Sequence, residues 1–309
     1  MNHPARPSLG RQALRKGVVF ATFNYGFLLV LALATLYPVW NTVVVSINQS
    51  TDTIRGGLFL WPRFPTWKNY QTVFENEILF HAFFLSVART VVSMLLNLLL
   101  TSMLAYVLSR KEFVFRKLFT LIMILTMYVN AGLIPNYFLI KSLGLVNTFW
   151  VYIVPGMISA FNFILVRTYI ATIPDSMAES ARIDGAGDFR IYFQIMLPLI
   201  KPVLATVALF VAVGNWNSWF DTMLYASSRQ DLSTLQYELM RILGSSMSQS
   251  KNAAEIGALG LSKDAGSDLV SPISVRAAIT VVAALPILVV YPFLQKYFVT
   301  GLTVGGVKE

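Results

Sequence analysis

Hydrophobic positions fall into six long runs along this chain, and the polar positions between them are brief in all but a few places. Residues 18–47 form the first run, thirty positions without a charged side chain. A helix of that length crosses about 30 Å of hydrocarbon with room to tilt. Pro38 inside it predicts a kink. The rival reading is a secretory signal, for which Ala32-Leu33-Ala34 offers a small-residue cleavage site. The apolar stretch continues thirteen residues past Ala34, which predicts an uncleaved span. Further runs lie at 79–108, 118–140, 148–166, 202–226 and 273–298. The turn-rich segment 48–78 carries Gly56-Gly57, Pro62, Pro65, Trp61 and Trp67, and its tryptophans suit a membrane–water interface.

This pattern predicts an all-α, polytopic membrane protein with six transmembrane helices. Residues 1–17 form a polar, basic N-terminal segment, 18–298 the six-helix transmembrane domain, and 299–309 a short tail. Two long polar segments interrupt the domain, at 167–201 and 227–272. Composition agrees: 56% of residues are hydrophobic and 13% charged, against about 25% charged in a soluble domain. Six spans put both termini on one side. That side holds 14 cations against six acids, the other nine cations against eight acids. The positive-inside rule therefore predicts cytoplasmic termini and a cytoplasmic 167–201 loop. The net charge of +9 belongs to these loops and gives no reason to expect a nucleic-acid partner. With no cysteine, disulfides and thiolate metal sites are excluded, and with only His3 and His81 there is little material for acid–base or metal chemistry.

The 167–201 loop has the richest mix of charge and apolar side chains. Pro174 suits a helix's first turn, and Asp175 and Glu179 suit its positive end. Met177, Ala178 and Ala181 recur at helical spacing and predict a small apolar face that another surface can approach closely. Gly185 is the expected stop, and Asp188 the expected cap of a second helix ending near Pro198. The plainer reading is an amphipathic loop lying on lipid headgroups. Such a helix is normally dominated by bases, whereas acids match bases here, which favours a protein partner.

The segment Glu179-Ser180-Ala181-x-x-Asp184-Gly185-Ala186, eight residues, then Ile195-x-Leu197-Pro198 resembles the EAA loop of bacterial ABC importer permeases. Its one departure is Ser180 in place of alanine. Ala105-Tyr-Val-Leu-Ser-Arg110, Asn215-Trp-Asn217 and the tail 296–308 are similar to the maltose-permease-like subunits that serve oligosaccharide uptake. The resemblance implies a type I importer permease in the bacterial cytoplasmic membrane. It also implies a second homologous permease, two ATPase subunits and an extracytoplasmic solute-binding protein as partners. The loop would be a coupling helix seated on an ATPase, with Glu179 meeting basic groups and Gly185 giving the sharp turn. ATP and Mg would be bound by the separate ATPase. In keeping with that, the nearest approach to a phosphate loop here, Gly301-x4-Gly306-Val307-Lys308-Glu309, has its lysine displaced and no Ser or Thr after it.

Candidates for the cargo path are Tyr128, Asn130, Asn162, Asn215, Trp216, Asn217, Trp219 and Asp221. Amides with aromatic rings suit a sugar, and they equally suit an interfacial belt or polar glue between helices. Arg89 lies about 15 Å into the second run. A cation there either pairs with the partner subunit or backbone carbonyls, or lines the path and favours acidic sugars such as uronate oligosaccharides. In the maltose-permease-like family the segment corresponding to 227–272 reaches into the binding protein; its plainer reading is a solvated loop. An ion-coupled secondary transporter needs carboxylates within spans, and Asp221 is the one acid near a span. An intramembrane enzyme lacks any of the usual nucleophile or metal motifs.

Overall fold

The computed structural model describes residues 9–57, 60–242, 244 and 271–306, which form helices joined by turns, with a lone antiparallel bridge between Asn48 and Pro65. They fall into two units, Met1–Thr72 with Lys263–Val281, and Val73–Ser262 with Val282–Glu309.

In the first unit, α1 (Leu9–Ser46) runs unbroken through Pro38. Its stretch Phe20–Ser46 is apolar and long enough to cross a membrane, and only 6% of its most apolar window is buried. Most of that surface is left open, which suits lipid or another protein. Beyond it the chain folds on a polar knot rather than an apolar core. Asn48 donates to Asp52 (3.0 Å) and Thr53 (3.1 Å), and its own side-chain carbonyl accepts from the Phe64 N–H (2.9 Å). Asn69 donates to the carbonyls of Ser46 and Asn48 (both 2.9 Å). Arg63 closes the knot on Asp52 at 3.0 Å. The short helix α2 (Ser50–Arg55) forms inside this network, and α3 (Lys68–Glu75) comes after it. Trp61 and Trp67 remain exposed, as interfacial side chains should.

The second unit is organised around α4 (Glu77–Ser109), 33 residues capped by Asn76, whose side chain accepts from the N–H groups of Ile78 (3.0 Å) and Leu79 (3.3 Å). Its buried face carries Ser86, Arg89, Ser93, Asn97 and Thr101, a polar seam at three- and four-residue spacing within an apolar helix. The seam has a local cause. The fourth predicted span is no continuous helix: Phe149–Tyr152 and Val154–Gly156 are 3₁₀ turns, bent 47° from α7 (Ala160–Ile170). Pro155 and Gly156 disfavour an α-helix there, leaving carbonyls that must be satisfied at membrane depth. Ser93 donates to the Tyr152 carbonyl at 3.4 Å, and Asn97 to the Gly156 carbonyl at 2.9 Å.

Two other predicted spans are also divided. Residues 118–140 become α5 (Arg116–Tyr128) and α6 (Leu133–Ser142), of 13 and 10 residues. Neither alone crosses about 30 Å. Asn130 accepts from the Gly132 N–H (2.9 Å), and Gly132 holds φ 84°, so the break is a local turn. Residues 202–226 become α10 (Lys201–Asn217) and α11 (Phe220–Tyr225), separated at Ser218. Between α7 and α10 lie α8 (Ser176–Ile183) and α9 (Asp188–Leu199), the latter bent 78° from α10. Three helices are long and apolar enough to span, or up to five if each bent pair is one span, among the described residues. α4 packs on α7 and α10, and their shared core includes Ala105, Phe163, Val166, Ile200, Val203 and Val207.

The first part of the 227–272 segment is folded. Residues 235–242 form α12, and Leu232, Leu235 and Leu239 are buried. The Leu235 N–H donates to Ser86 (2.9 Å), and Tyr152 donates to the Leu232 carbonyl (2.6 Å). The plainer reading of a solvated loop fits the exposed turn 227–231 but fails for 232–242, and residues 243 and 245–270 lie outside the described residues. α13 (Pro272–Gly306) then continues well past residue 298, so 299–306 is helix rather than a separate tail.

Candidate functional site

The 167–201 element forms the helix–turn–helix that its sequence predicts. After α7 the chain turns, and α8 starts with the Glu179 N–H donating to the Asp175 carbonyl at 3.1 Å. The Asp175 carboxylate does not cap this end, because Lys111 engages it at 2.6 Å. α8 closes in a Schellman turn. The Ala186 N–H donates to the Ala181 carbonyl (2.9 Å) and the Gly185 N–H to the Arg182 carbonyl (3.0 Å), with Gly185 at φ 81°. Only a residue at ease in the left-handed region satisfies both bonds, which is the reason for glycine here.

Asp188 does not cap the next helix. Gly187 occupies the cap position, and Asp188 accepts instead from Arg182 at 3.1 Å, bracing the turn from outside. As expected, α9 ends near Pro198, at Leu199. Proline cannot donate to the Gln194 carbonyl, and the preceding turn widens into a π-turn over Tyr192–Met196, where the Leu197 N–H reaches the Tyr192 carbonyl.

The small apolar face points inward. Ala178 and Ala181 are buried against the core that holds Ala105, Tyr106 and Leu108. The close approach they permit is therefore to the interior of the same chain. The outward side carries Glu179, Ser180, Asp184 and Gly185, all exposed, with Ala186 half-buried. Met177 joins them on the exposed side, and two apolar side chains flank the turn: Ile183 is 87% exposed and Phe189 73%. Apolar tips ringed by acids make a surface suited to contact, since interfaces join an apolar centre to a polar rim.

The short loop after α4 reaches this element, an association the sequence did not announce. Lys111 binds Asp175, and Glu112 binds Arg182. The hydrogen bond and charge of Asp175 hold Lys111 above its ordinary value of 10.5, and the same contact holds Asp175 below 3.8. Glu112 is held low by its own backbone N–H first and then by Arg182. Between the loop and α8 opens a cleft of about 510 Å³, lined by Arg110, Lys111, Glu112, Arg167, Asp175 and Glu179 among others.

The cargo-path candidates scatter. Arg89 is 2% exposed and donates to the Ser218 carbonyl (3.1 Å) and to the Asp221 carboxylate. Its guanidinium also lies 4.5 Å from the Tyr152 ring centroid. It therefore takes the pairing alternative, with a partner in its own chain, and presents no free cation in this conformation. Trp216 is buried, edge-on to Phe83 at 6.0 Å and donating to the Ala283 carbonyl at 2.8 Å. Asn162 is buried and donates to Asn97 at 3.3 Å. These three act as polar glue. Asn215 donates back to the Val211 carbonyl at 2.9 Å. Asn217 is exposed and Trp219 half-buried, edge-on to Phe220. Tyr128 and Asn130 are exposed, and no hydrogen bond or ring contact joins them to the 214–221 segment among the described residues. No cluster of three or more His, Cys, Asp or Glu side chains that could hold a metal occurs among the described residues.

Residues 97–304, which include the whole α8–α9 element, match the family described as the inner membrane component of binding-protein-dependent transport systems. The chain belongs to this family. It is thus a membrane transport subunit, a permease rather than an enzyme. Among curated members it is 33% identical over 293 residues to the polygalacturonan/rhamnogalacturonan transport system permease protein YtcP of Bacillus subtilis, covering 95% of this chain and 99% of that one. Protein LplC of the same organism is 34% identical, covering 95% and 96%. The arabinooligosaccharides transport system permease protein AraQ of Bacillus subtilis is 29% identical, covering 91% and 94%. Among solved structures, a chain of a bacterial ABC transporter involved in import of the acidic polysaccharide alginate superposes with a TM-score of 0.81. It is 27% identical and covers 96% of this chain and 100% of its own.

Proposed function

We propose that this permease is one of two homologous membrane subunits of an ATP-driven importer of acidic oligosaccharides. The observation that carries the reading is the turn between α8 and α9, where Glu179, Ile183, Asp184 and Phe189 stand outward while Ala178 and Ala181 are buried in the chain's own core. Such an element transmits a push only if something outside the chain holds its tip. In this reading ATPase subunits, which bind ATP and Mg, seat the tip of α8. Their closure drives a rigid-body switch between inward- and outward-facing states. An extracytoplasmic binding protein delivers the sugar on the other side. The uneven distribution of cations supports cytoplasmic N and C termini and a cytoplasmic α8. The open surface of α1 suits lipid and the second permease.

The acidic cargo is supported by the relatives, since one is assigned to polygalacturonan and rhamnogalacturonan transport and a solved neighbour to alginate import. Ion-coupled transport fits less well, because Arg89 already engages the Asp221 carboxylate that would have to carry the ion.

The test is co-purification in detergent and then reconstitution. A second permease and ATPase subunits should co-purify, and proteoliposomes holding the complex and its binding protein should accumulate oligogalacturonate in preference to a neutral oligosaccharide of equal length. Transport by this chain alone, without ATP, would overturn the reading.

A further inference from the structure

Resting on that reading, we propose that Lys111 and Glu112 are positioning residues that clamp the α8 lever to the end of α4, so that α4 moves with it. The two lie side by side with opposite charge, and they meet Asp175 and Arg182, which are also of opposite charge and stand at the two ends of α8. These contacts join positions 64 and 70 residues apart, so they bind separate elements rather than finishing a local turn. The order of signs fixes the register. If α8 slid one way along this loop, Arg182 would approach Lys111, and if it slid the other way Asp175 would approach Glu112, so either shift replaces attraction with like-charge repulsion.

Beyond the clamp, the surrounding contacts contain no further ion pair between this loop and α8 among the described residues. Arg110 stacks 4.2 Å from the Tyr106 ring centroid, and Tyr106 lies 5.4 Å from the Tyr192 ring. Tyr192 and Ser102 share a hydrogen bond of 2.6 Å, and Arg167 donates to the Leu108 carbonyl at 3.3 Å. Ala178 and Ala181 have no side-chain atoms beyond Cβ with which to resist sliding. All four clamp side chains are more than a third exposed, and exposed ion pairs contribute little to stability. Their worth lies in alignment. The cleft of about 510 Å³ is lined by both halves of the clamp, so a force on α8 loads these contacts.

The experiment measures ATP hydrolysed per oligosaccharide imported by the reconstituted importer, together with ATPase co-purification. Lys111→Asp and Asp175→Lys each place like charges across the contact. Each should raise the ATP cost per sugar at least threefold while ATPase subunits co-purify at the wild-type ratio. The double variant K111D/D175K should return the ratio to within about 1.5-fold of wild type. Glu112→Lys should uncouple as Lys111→Asp does. An unchanged ratio in the single variants overturns the proposal. So does a double variant as uncoupled as the singles, or a loss of ATPase binding in Lys111→Asp, which would make Lys111 a docking residue instead. Failure of the functional reading itself shows separately, as a wild-type complex without ATPase subunits.

Discussion

Removing either member of the Arg89–Asp221 pair has unequal consequences, because the two are unequally buried. Arg89 is 2% exposed, whereas the Asp221 side chain is 37% exposed and also accepts from the Ser218 hydroxyl at 2.7 Å. Asp221→Ala strands a buried guanidinium with only the Ser218 carbonyl and the Tyr152 ring for company. Breaking a buried pair this way costs about 3–5 kcal/mol. Arg89→Met removes the buried charge itself and leaves a carboxylate that water reaches, so its cost should be about 1–2 kcal/mol. The double variant should resemble Arg89→Met, since no buried cation is left to strand. Equilibrium unfolding of the four proteins in mixed detergent and SDS gives the cycle. Asp221→Ala proving no more destabilising than Arg89→Met would refute the argument. Transport supplies a second arm. A structural cation predicts that Arg89→Gln lowers uptake of acidic and neutral oligosaccharides alike, and a loss confined to acidic cargo would restore Arg89 to the translocation path.

Gly185→Ala should cost about 1–2 kcal/mol through its left-handed φ alone, because a Cβ there meets nothing within 4 Å. Gly185→Val should be worse and Gly185→Asn milder, with ATP used per sugar rising in the same order; equal behaviour of Asn and Val would exclude the conformational cause. Ser102→Ala should cost about 1–3 kcal/mol by orphaning the buried Tyr192 hydroxyl, whereas Tyr192→Phe leaves Ser102 its bonds to the Leu98 and Leu99 carbonyls and should cost less in the same unfolding assay. The clamp should not sense pH near neutrality. Asp175, beside Lys111, Arg110 and Glu112, is depressed below 3.8, so its contribution is present above that value and lost as pH falls through its folded pKa. Lys111, beside Asp175, Glu179 and Arg116, is raised above 10.5, so its contribution is present below that value and lost as pH rises through its folded pKa. The coupling ratio should therefore show no inflection traceable to the clamp between about pH 5 and 9, and one that Lys111→Asp abolishes would contradict the assignment.

The helical class, the α8 element and its turn at Gly185 were legible because each rests on local chemistry: apolar runs, a proline start and a glycine stop. What the sequence concealed was the use of tertiary contacts in place of local ones. Asp188 reads as a cap, yet Arg182 draws it aside. Asp175 reads as a helix-end acid, yet Lys111 holds it from 64 residues away. The runs at 118–140 and 148–166 look continuous by hydropathy, although Asn130-Ala-Gly132 and Pro155-Gly156 are turn formers that interrupt a helix from within. The seam Ser86, Arg89, Ser93, Asn97 and Thr101 stands at helical spacing in the sequence, but its cause, the irregular backbone of 149–156, comes into view only with the fold. Arg89 drew attention as a lone charge, and its meaning came only with Ser218, Asp221 and Tyr152 around it.

The polar seam also sets a constraint on biogenesis. α4 must enter the bilayer while Asp221, 132 residues further along, is still unmade. At roughly 5–20 residues per second that interval lasts roughly 7–26 s. An arginine at mid-membrane opposes insertion by about 2.5–3.5 kcal/mol, and the 17 Leu, Ile, Phe and Val residues of α4 favour it by about 5–10 kcal/mol. On that comparison the apolar residues outweigh the arginine, and for that interval the helix carries an unneutralised cation in the membrane. A nascent chain stopped before residue 221 keeps it, and so displays an incompleteness that membrane quality control can recognise.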